Sequence, residues 1–454
     1  MARSRRARAA LALLATPTLL LTTTACLSDD KDDATGPSCD TSAPAASDLY
    51  KDPVTITWWH NYNVPAADPV NKPGGLEYWQ EVADDFHAAH PTVTIEIQAF
   101  VSNDLQRTAI PAALKTNDPP DLFQAWGGGE IADQAEAGYV KDITGAVTQE
   151  KANIGASTSI WAVDGCQYGL PYRMGIEGIW YNKALFAEAG ITTPPKTMDE
   201  LLDAADKLKA KDIVPFTVAA GDGWPAAHWW YQFAIHDCPA DTLTKAAKDK
   251  NFDDPCFVKA GEDLKSFLDA DVFQPDFLGS NFGSGANPSG GLINNRSAAM
   301  ELMGDWDKGT IEGLSTDGKG IGDDLGWFPV PALGSGGGDP TVALGGGDGF
   351  ACSKNAPAEC VEFLKYIVSP QVQLGYAKLG VGLPVSKGAE SGVSDPALKS
   401  ILSATTAASS VQLWLDTQYG SAIGDAMNAA IVKIFDGSGT PEDVVTAIKT
   451  AAAR

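Results

Sequence analysis

Histidine, methionine and positive charge are scarce in this chain of 454 residues, which has five histidines, six methionines and 33 Lys and Arg against 58 Asp and Glu. His60, His87, His90, His228 and His236 never take a metal-ligand spacing such as H-E-x-x-H, so no metal or other cofactor is expected. No G-x-S-x-G elbow marks a serine nucleophile. The shortage of basic residues leaves a formal net charge of −25. Phosphate backbones and anionic lipid surfaces repel such a chain, which argues against nucleic acid as a partner and against docking on a membrane by charge. Beyond the N-terminal segment no long apolar run occurs, so no membrane-crossing helix is expected. Carboxylates are plentiful, and counting them does not dismiss a glycosidase pair, but most fall on helix faces as solvated surface.

The N-terminus carries a positive head, Arg3, Arg5, Arg6 and Arg8, and then an apolar run from Ala9 to Leu21 broken by Thr16-Pro17-Thr18. That run is too short to span a bilayer and reads as an export signal over residues 1–25. Thr23-Thr24-Ala25 leads directly into Cys26, which a polar stretch, Ser28-Asp29-Asp30-Lys31-Asp32-Asp33, follows. The segment resembles the lipobox of bacterial lipoproteins, which implies acylation at Cys26. Thr23 stands where leucine is usual, and plain cleavage is the alternative. From residue 26 to 51 the composition is Asp, Ser, Ala, Thr and Pro, a flexible tether. With Cys26 lipidated, six cysteines remain for an oxidising compartment, an even number that reads as three disulfides. Short loops favour Cys238–Cys256 and Cys352–Cys360, which leaves Cys39–Cys166 by elimination.

The rest of the chain alternates strand and helix patterns. Val54 to His60 is a strand, Leu76 to His90 has helical spacing with Tyr78, Trp79, Val82 and Phe86 on one side, and Val93 to Phe100 is a strand again. Strand, helix, strand at this spacing is a parallel βαβ unit. The alternation continues to two C-terminal helices near 422–434 and 441–453, giving an α/β class with parallel-dominated sheets.

Several of the twelve tryptophans stand where strands run out into loops: Trp58-Trp59, Trp126, Trp224, Trp229-Trp230, Trp306 and Trp414. Ligands of open α/β sheets bind beyond the carboxyl ends of strands, and a flat ring there offers an apolar face to the C–H face of a pyranose. Polar groups that could take hydroxyls lie beside them: His60, Asn61 and Asn63, Arg173 and Glu177, His228, and Asp305. Trp79, Trp161, Trp180 and Trp327 fall inside helix or strand patterns and read as core. Two glycine runs, Gly127–Gly129 and Gly345–Gly349, lack the Lys-Ser/Thr of a P-loop and read as close backbone approaches in a hinge or cleft wall.

The segments P-D-L-F-Q-A-W-G-G-G (Pro120–Gly129), G-L-P-Y-R-M-G-I-E-G-I-W-Y-N-K (Gly169–Lys183), P-P-K-T-M-D-E-L (Pro194–Leu201), A-A-M-E-L-M-G-D-W (Ala298–Trp306), G-G-G-D-G-F-A (Gly345–Ala351) and E-F-L-K-Y-I (Glu362–Ile367) resemble the extracellular solute-binding proteins of ABC importers, in the sugar-carrying branch. Within that branch the chain resembles actinobacterial proteins that bind xylobiose and related oligosaccharides. The cysteines Cys352 and Cys360 depart from the family pattern. The resemblance implies a periplasmic-binding-protein-like fold of two α/β lobes joined by crossing hinge strands, with 52–173 and 344–382 in lobe 1 and 174–343 and 383–454 in lobe 2. It implies ligand contacts from His60, Asn63, Trp126 and Gly127 in lobe 1, with Arg173 at the crossing. From the other side it implies Glu177, Trp224, His228, Trp230, Trp306 and Trp414, with Asp348 near a second crossing. The expected function is a lipid-anchored, monomeric receptor at the outer face of the cell membrane. It would bind a di- or oligosaccharide such as xylobiose, dock on permease subunits and catalyse nothing. The alternatives are a secreted glycoside hydrolase, or a receptor for a peptide or polyamine.

Overall fold

The computed structural model describes residues 38–62, 74–285 and 287–454, so the export leader, Cys26 and Asn63 lie outside the described residues. Twelve strands occur in them: β1 (Val54–His60), β2 (Val93–Ala99), β3 (Leu122–Ala125), β4 (Ala162–Val163), β5 (Cys166–Gln167), β6 (Leu170–Ile176), β7 (Gly178–Asn182), β8 (Val214–Thr217), β9 (Ala298–Met303), β10 (Leu325–Pro329), β11 (Ala343–Cys352) and β12 (Val411–Leu413). The first βαβ unit forms as its periodicity predicts. The helix Gly75–Ala89 buries Trp79, Val82 and Phe86, and β2 runs parallel to β1 from Val54 opposite Val93 to His60 opposite Ala99.

The molecule is a mixed α/β protein of two lobes. One sheet has six strands in the order β12-β11-β3-β1-β2 with β6 also on β11, and the other has four in the order β10-β7-β9-β8. Trp58 centres the core of the first, meeting Trp79, Phe350 and Phe363 edge-on. The core of the second gathers Phe216, Trp229, Phe257 and Phe267. The chain leaves the six-stranded sheet at Ile176 and enters the four-stranded one at Gly178, with Glu177 the single residue between. Trp79, Trp161, Trp180 and Trp327 are all buried, as their patterns predict.

Four expectations need correction. The sheets are mixed, not parallel-dominated, because the strands that cross between them run antiparallel to their neighbours: β6 and β3 against β11, and β10 and β9 against β7. β12, which the sequence placed with the second lobe, pairs with Ala343–Gly345 of β11 and so joins the six-stranded sheet. Trp224, Trp229 and Trp230 do not end a strand but lie on one helix, Trp224–Asp237, whose mostly apolar sequence hides the 3.6 period. The tether gives way to fixed structure at Cys39, before its expected end at residue 51. There the Cys39–Cys166 disulfide and two hydrogen bonds, Asp40 N–H to Asp142 Oδ2 (2.7 Å) and Gly145 N–H to Asp40 O (2.9 Å), fasten the chain.

All three disulfides pair as the loop lengths and elimination predict, with Cα separations of 5.1, 5.2 and 6.3 Å. Among the described residues no helix is long and apolar enough to cross a membrane.

Candidate functional site

Arg173 organises the point where the sheets meet. It lies on β6 opposite Asp348 of β11, so register alone brings the two together. Its Nε and Nη2 donate to Asp348 Oδ2 at 2.8 and 2.5 Å, and Nη1 donates to Asp305 Oδ1 at 3.1 Å. The guanidinium carbon stands 4.5 Å from the centroid of the Trp306 ring, a cation–π contact. Asp305 in turn accepts the Leu383 N–H at 2.9 Å. Burial pushes the Asp305 carboxyl up, while the Arg173 charge pulls it down. Both arginine edges are thus spent on carboxylates, and what Arg173 leaves to a ligand is mainly the tryptophan it holds.

Around that tryptophan runs an aromatic wall. Trp306 meets Trp414 at a centroid separation of 5.5 Å and Trp224 at 6.5 Å, and Trp224 meets Phe282 at 5.0 Å. His228 lies 4.9 Å from Trp224 and stacks on Trp414 at 6.1 Å with planes 11° apart. Glu177 sets this wall from behind. Its Oε1 accepts the Trp414 Nε1–H at 2.8 Å and touches His228 Nδ1, and its Oε2 accepts from Gln232 at 3.2 Å. The glycine run of β11 is what lets Trp414 lie flat, since a Cβ on Gly346 would fall 2.5 Å from its ring.

Arg173, Asp348 and the aromatic wall line a cleft of about 590 Å³, inside the roughly 300–1,000 Å³ usual for small-molecule sites. Seven of the expected contacts lie on its surface: Trp126, Arg173, Trp224, His228, Trp306, Asp348 and Trp414. Four do not. His60 is fully buried beneath it, accepts the Tyr62 N–H at 3.1 Å on Nδ1, and is held neutral by burial, its pKa lowered to about 3. Gly127 is pressed on Ile160, with room for no Cβ (2.5 Å to Cγ2). Glu177 acts from behind the wall, and Trp230 is fully buried in the core beside Phe257. Asn63 lies outside the described residues.

The cleft also takes Asn61, expected from its place beside Trp58-Trp59, and residues that the sequence did not single out. Asn61 and Tyr62 follow β1, and the neighbours of His60, not His60 itself, reach the cleft. Gln106 comes from a turn of π-helix, Leu105–Ala109, and such turns often mark functional sites. Next to it Arg107 binds Asp416 (2.9 Å), Asp425 (3.0 Å) and Glu130 (3.4 Å), joining the helical segment after β2 to the C-terminal helices. Asp416 lines the cleft too, two residues after Trp414, and that adjacency was its only signal in the sequence. Burial raises the Glu130 carboxyl to about 7, against the pull of Arg107. Glu130 belongs to the helix Gly128–Glu136, which the second and third glycines of the first run begin. A Cβ on Gly129 would fall 2.5 Å from Gly420 N, so this run is a close backbone approach to the C-terminal segment.

The chain is similar to known proteins over most of its length. The diacetylchitobiose binding protein DasA of Streptomyces coelicolor is 26% identical over 359 residues, 77% of each chain. A solved structure of a chitin oligosaccharide binding protein superposes with a TM-score of 0.78 at 24% identity, covering 88% of this chain and 98% of that one. A second, described under xylan utilization by the thermophile Caldanaerobius polysaccharolyticus, gives 0.77 at 24% identity over 87% and 99%. Residues 72–374 match the bacterial extracellular solute-binding protein family, and the chain belongs to that family.

Proposed function

We propose that this protein is the receptor of an ABC sugar importer, and that the cleft takes a di- or oligosaccharide such as xylobiose or a chitobiose-type disaccharide. The observation that carries the reading is the run of three tryptophans, Trp224, Trp306 and Trp414, spaced 6.5 and 5.5 Å apart along one wall. Neighbouring pyranoses could each find a ring to stack on. Asn61, Gln106, His228 and Asp416 on the same surface supply hydroxyl partners.

Each carboxylate on the cleft surface has a basic partner: Asp348 has Arg173, Asp416 has Arg107, Glu312 has Lys308 and Asp317 has Lys319. Acids so held are poor candidates for a glycosidase pair, which supports binding without chemistry. The same pairing leaves little free negative charge for a polyamine.

In this reading the lobes are 52–173 with 344–382 and β12, and 174–343 with the rest of 383–454, closing on the sugar about the strands at Arg173 and Asp348. Ligand shifts the population toward closure because only the closed form makes both sets of contacts. A monomer anchored by lipid at Cys26 would then deliver the sugar to permease subunits. Isothermal calorimetry against xylobiose, diacetylchitobiose, longer oligomers of both, a peptide and spermidine tests the proposal. Saturable binding to at least one sugar is expected. Binding confined to the peptide or spermidine, or release of reducing ends from any oligomer, would sink it.

A further inference from the structure

We propose that Glu301 and Asp307, with the hydroxyls of Ser289 and Thr217, form an oxygen-only site for one divalent cation of the calcium class, buried behind the aromatic wall. Glu301 is on β9, in register with Thr217 of β8 and Trp180 of β7. Register partners project to one face of a sheet. The helices Ser289–Asn294 and Asp307–Gly313 pack on each other and share an apolar cluster with Met303, the next residue of β9 on the Glu301 face. Ser289 and Asp307 are the first residues of those helices.

All four side chains are fully or almost fully buried. Among the described residues, none of the four carboxylate oxygens has a hydrogen-bond partner, nor does Ser289 Oγ or Thr217 Oγ1. Besides burial, the one group acting on Glu301 is the Ser289 hydroxyl, a donor that can reach its carboxylate, and the one acting on Asp307 is Glu301; among the described residues no cationic side chain acts on either.

Even with the Ser289 hydroxyl given to Glu301, four buried oxygens are left without a donor, and they demand a partner, since well over nine in ten buried polar groups in native proteins have one. The molecule shows what that partner is elsewhere. Asp305, two residues before Asp307, has Arg173, and the buried Glu130 has Arg107. Here no such residue is supplied. A shared proton would link one oxygen of each acid and cancel one charge, whereas a divalent ion cancels both charges and is met by acceptors alone. The donors are all hard oxygens with no nitrogen or sulfur, which selects calcium over zinc or copper, and calcium tolerates irregular oxygen sets. Asp307 directly follows Trp306, and Gly309, Thr310 and Gly313 of its helix line the cleft, so the ion would brace that wall. The sequence showed no metal spacing because the four residues are scattered over ninety positions and only the fold gathers them.

The test uses the full chain stripped with a chelator and dialysed, then titrated with calcium chloride alone. The expected result is one calcium per chain by calorimetry and a calcium-dependent rise in melting temperature by mass action. Terbium should report the same site, its emission sensitised by Trp180. Glu301→Gln and Asp307→Asn should each weaken calcium by about tenfold or more. No calcium-dependent shift, or a shift that both variants retain, overturns the proposal. So does a Glu301→Gln protein that melts above the unaltered chain in calcium, the mark of a shared proton. Should either variant fail to fold, the stoichiometry of the unaltered chain decides.

Discussion

Trp224 and Trp230 stand on one helix, six residues apart, and meet opposite fates. At about 100° per residue they point to different faces. Trp224 shares its face with His228, one turn on, and looks into the cleft. Trp230 is fully buried beside Phe257, and its neighbour Trp229 stacks on Phe267 at 4.8 Å. The same residue type is thus core on one side of the helix and ligand platform on the other. Aromatic density along a sequence is two signals added together, and only the face of the element separates them.

That contrast can be broken by substitution. Trp230→Ala should have the largest effect, a loss of about 3–5 kcal/mol of folding stability through cavity formation, with sugar affinity unchanged wherever the protein is still folded. Denaturant titration alongside calorimetry checks both halves, and lost affinity in a folded Trp230→Ala protein would erase the distinction. Trp306→Ala should do the reverse. Its ring is the centre of the wall, and removing it should cost about 2 kcal/mol of sugar binding with little change in denaturation midpoint; unaltered affinity would dismiss the wall as the binding surface.

Glu177→Gln sharpens the comparison, because Glu177 touches no cleft yet orients Trp414 and His228. A penalty of about 1 kcal/mol in sugar affinity is expected, smaller than that of Trp306→Ala; a larger one would mean that Glu177 itself meets the ligand.

The smallest effect concerns Glu130, whose folded pKa is raised to about 7 by burial. Between its unfolded value, about 4.3, and that folded value the native state holds the extra proton. This contribution to stability is therefore full below the lower limit and is lost as pH rises toward the upper one. Melting curves of the unaltered chain minus those of Glu130→Gln should fall across that window, and a flat difference would show that Arg107 keeps the carboxylate ionised throughout.

Much of the architecture was legible because it is written in local periodicity. The run Val54–His60, the helix with Trp79, Val82 and Phe86, and Val93–Ala99 announce a βαβ unit through alternation and 3.6-residue spacing. Likewise, cysteine spacing over short loops gave two disulfides, and elimination gave the third. The helix Trp224–Asp237 escaped because nearly every residue in it is buried, which erases the polar face that reveals a period. Strand direction escaped because it depends on where distant strands return, as β12 does when it joins β11.

The candidate site divides in the same way. Its residue types, tryptophans with polar neighbours at strand ends, could be named from the chain. Whether each faces the cleft, as Trp306 does, or supports it from behind, as Glu177 and His60 do, rests on which face a neighbour occupies. The sequence by itself determined the α/β class, the family likeness and the stock of aromatic rings, because these follow from local pattern and composition. The tertiary structure alone decided that Arg173 is spent between Asp305 and Asp348, that Glu301 and Asp307 are buried with no basic side chain paired to them among the described residues, and that Trp224 but not Trp230 meets the cleft. Those outcomes depend on contacts between residues far apart in the chain, and their free energies exist only once the chain has closed on itself.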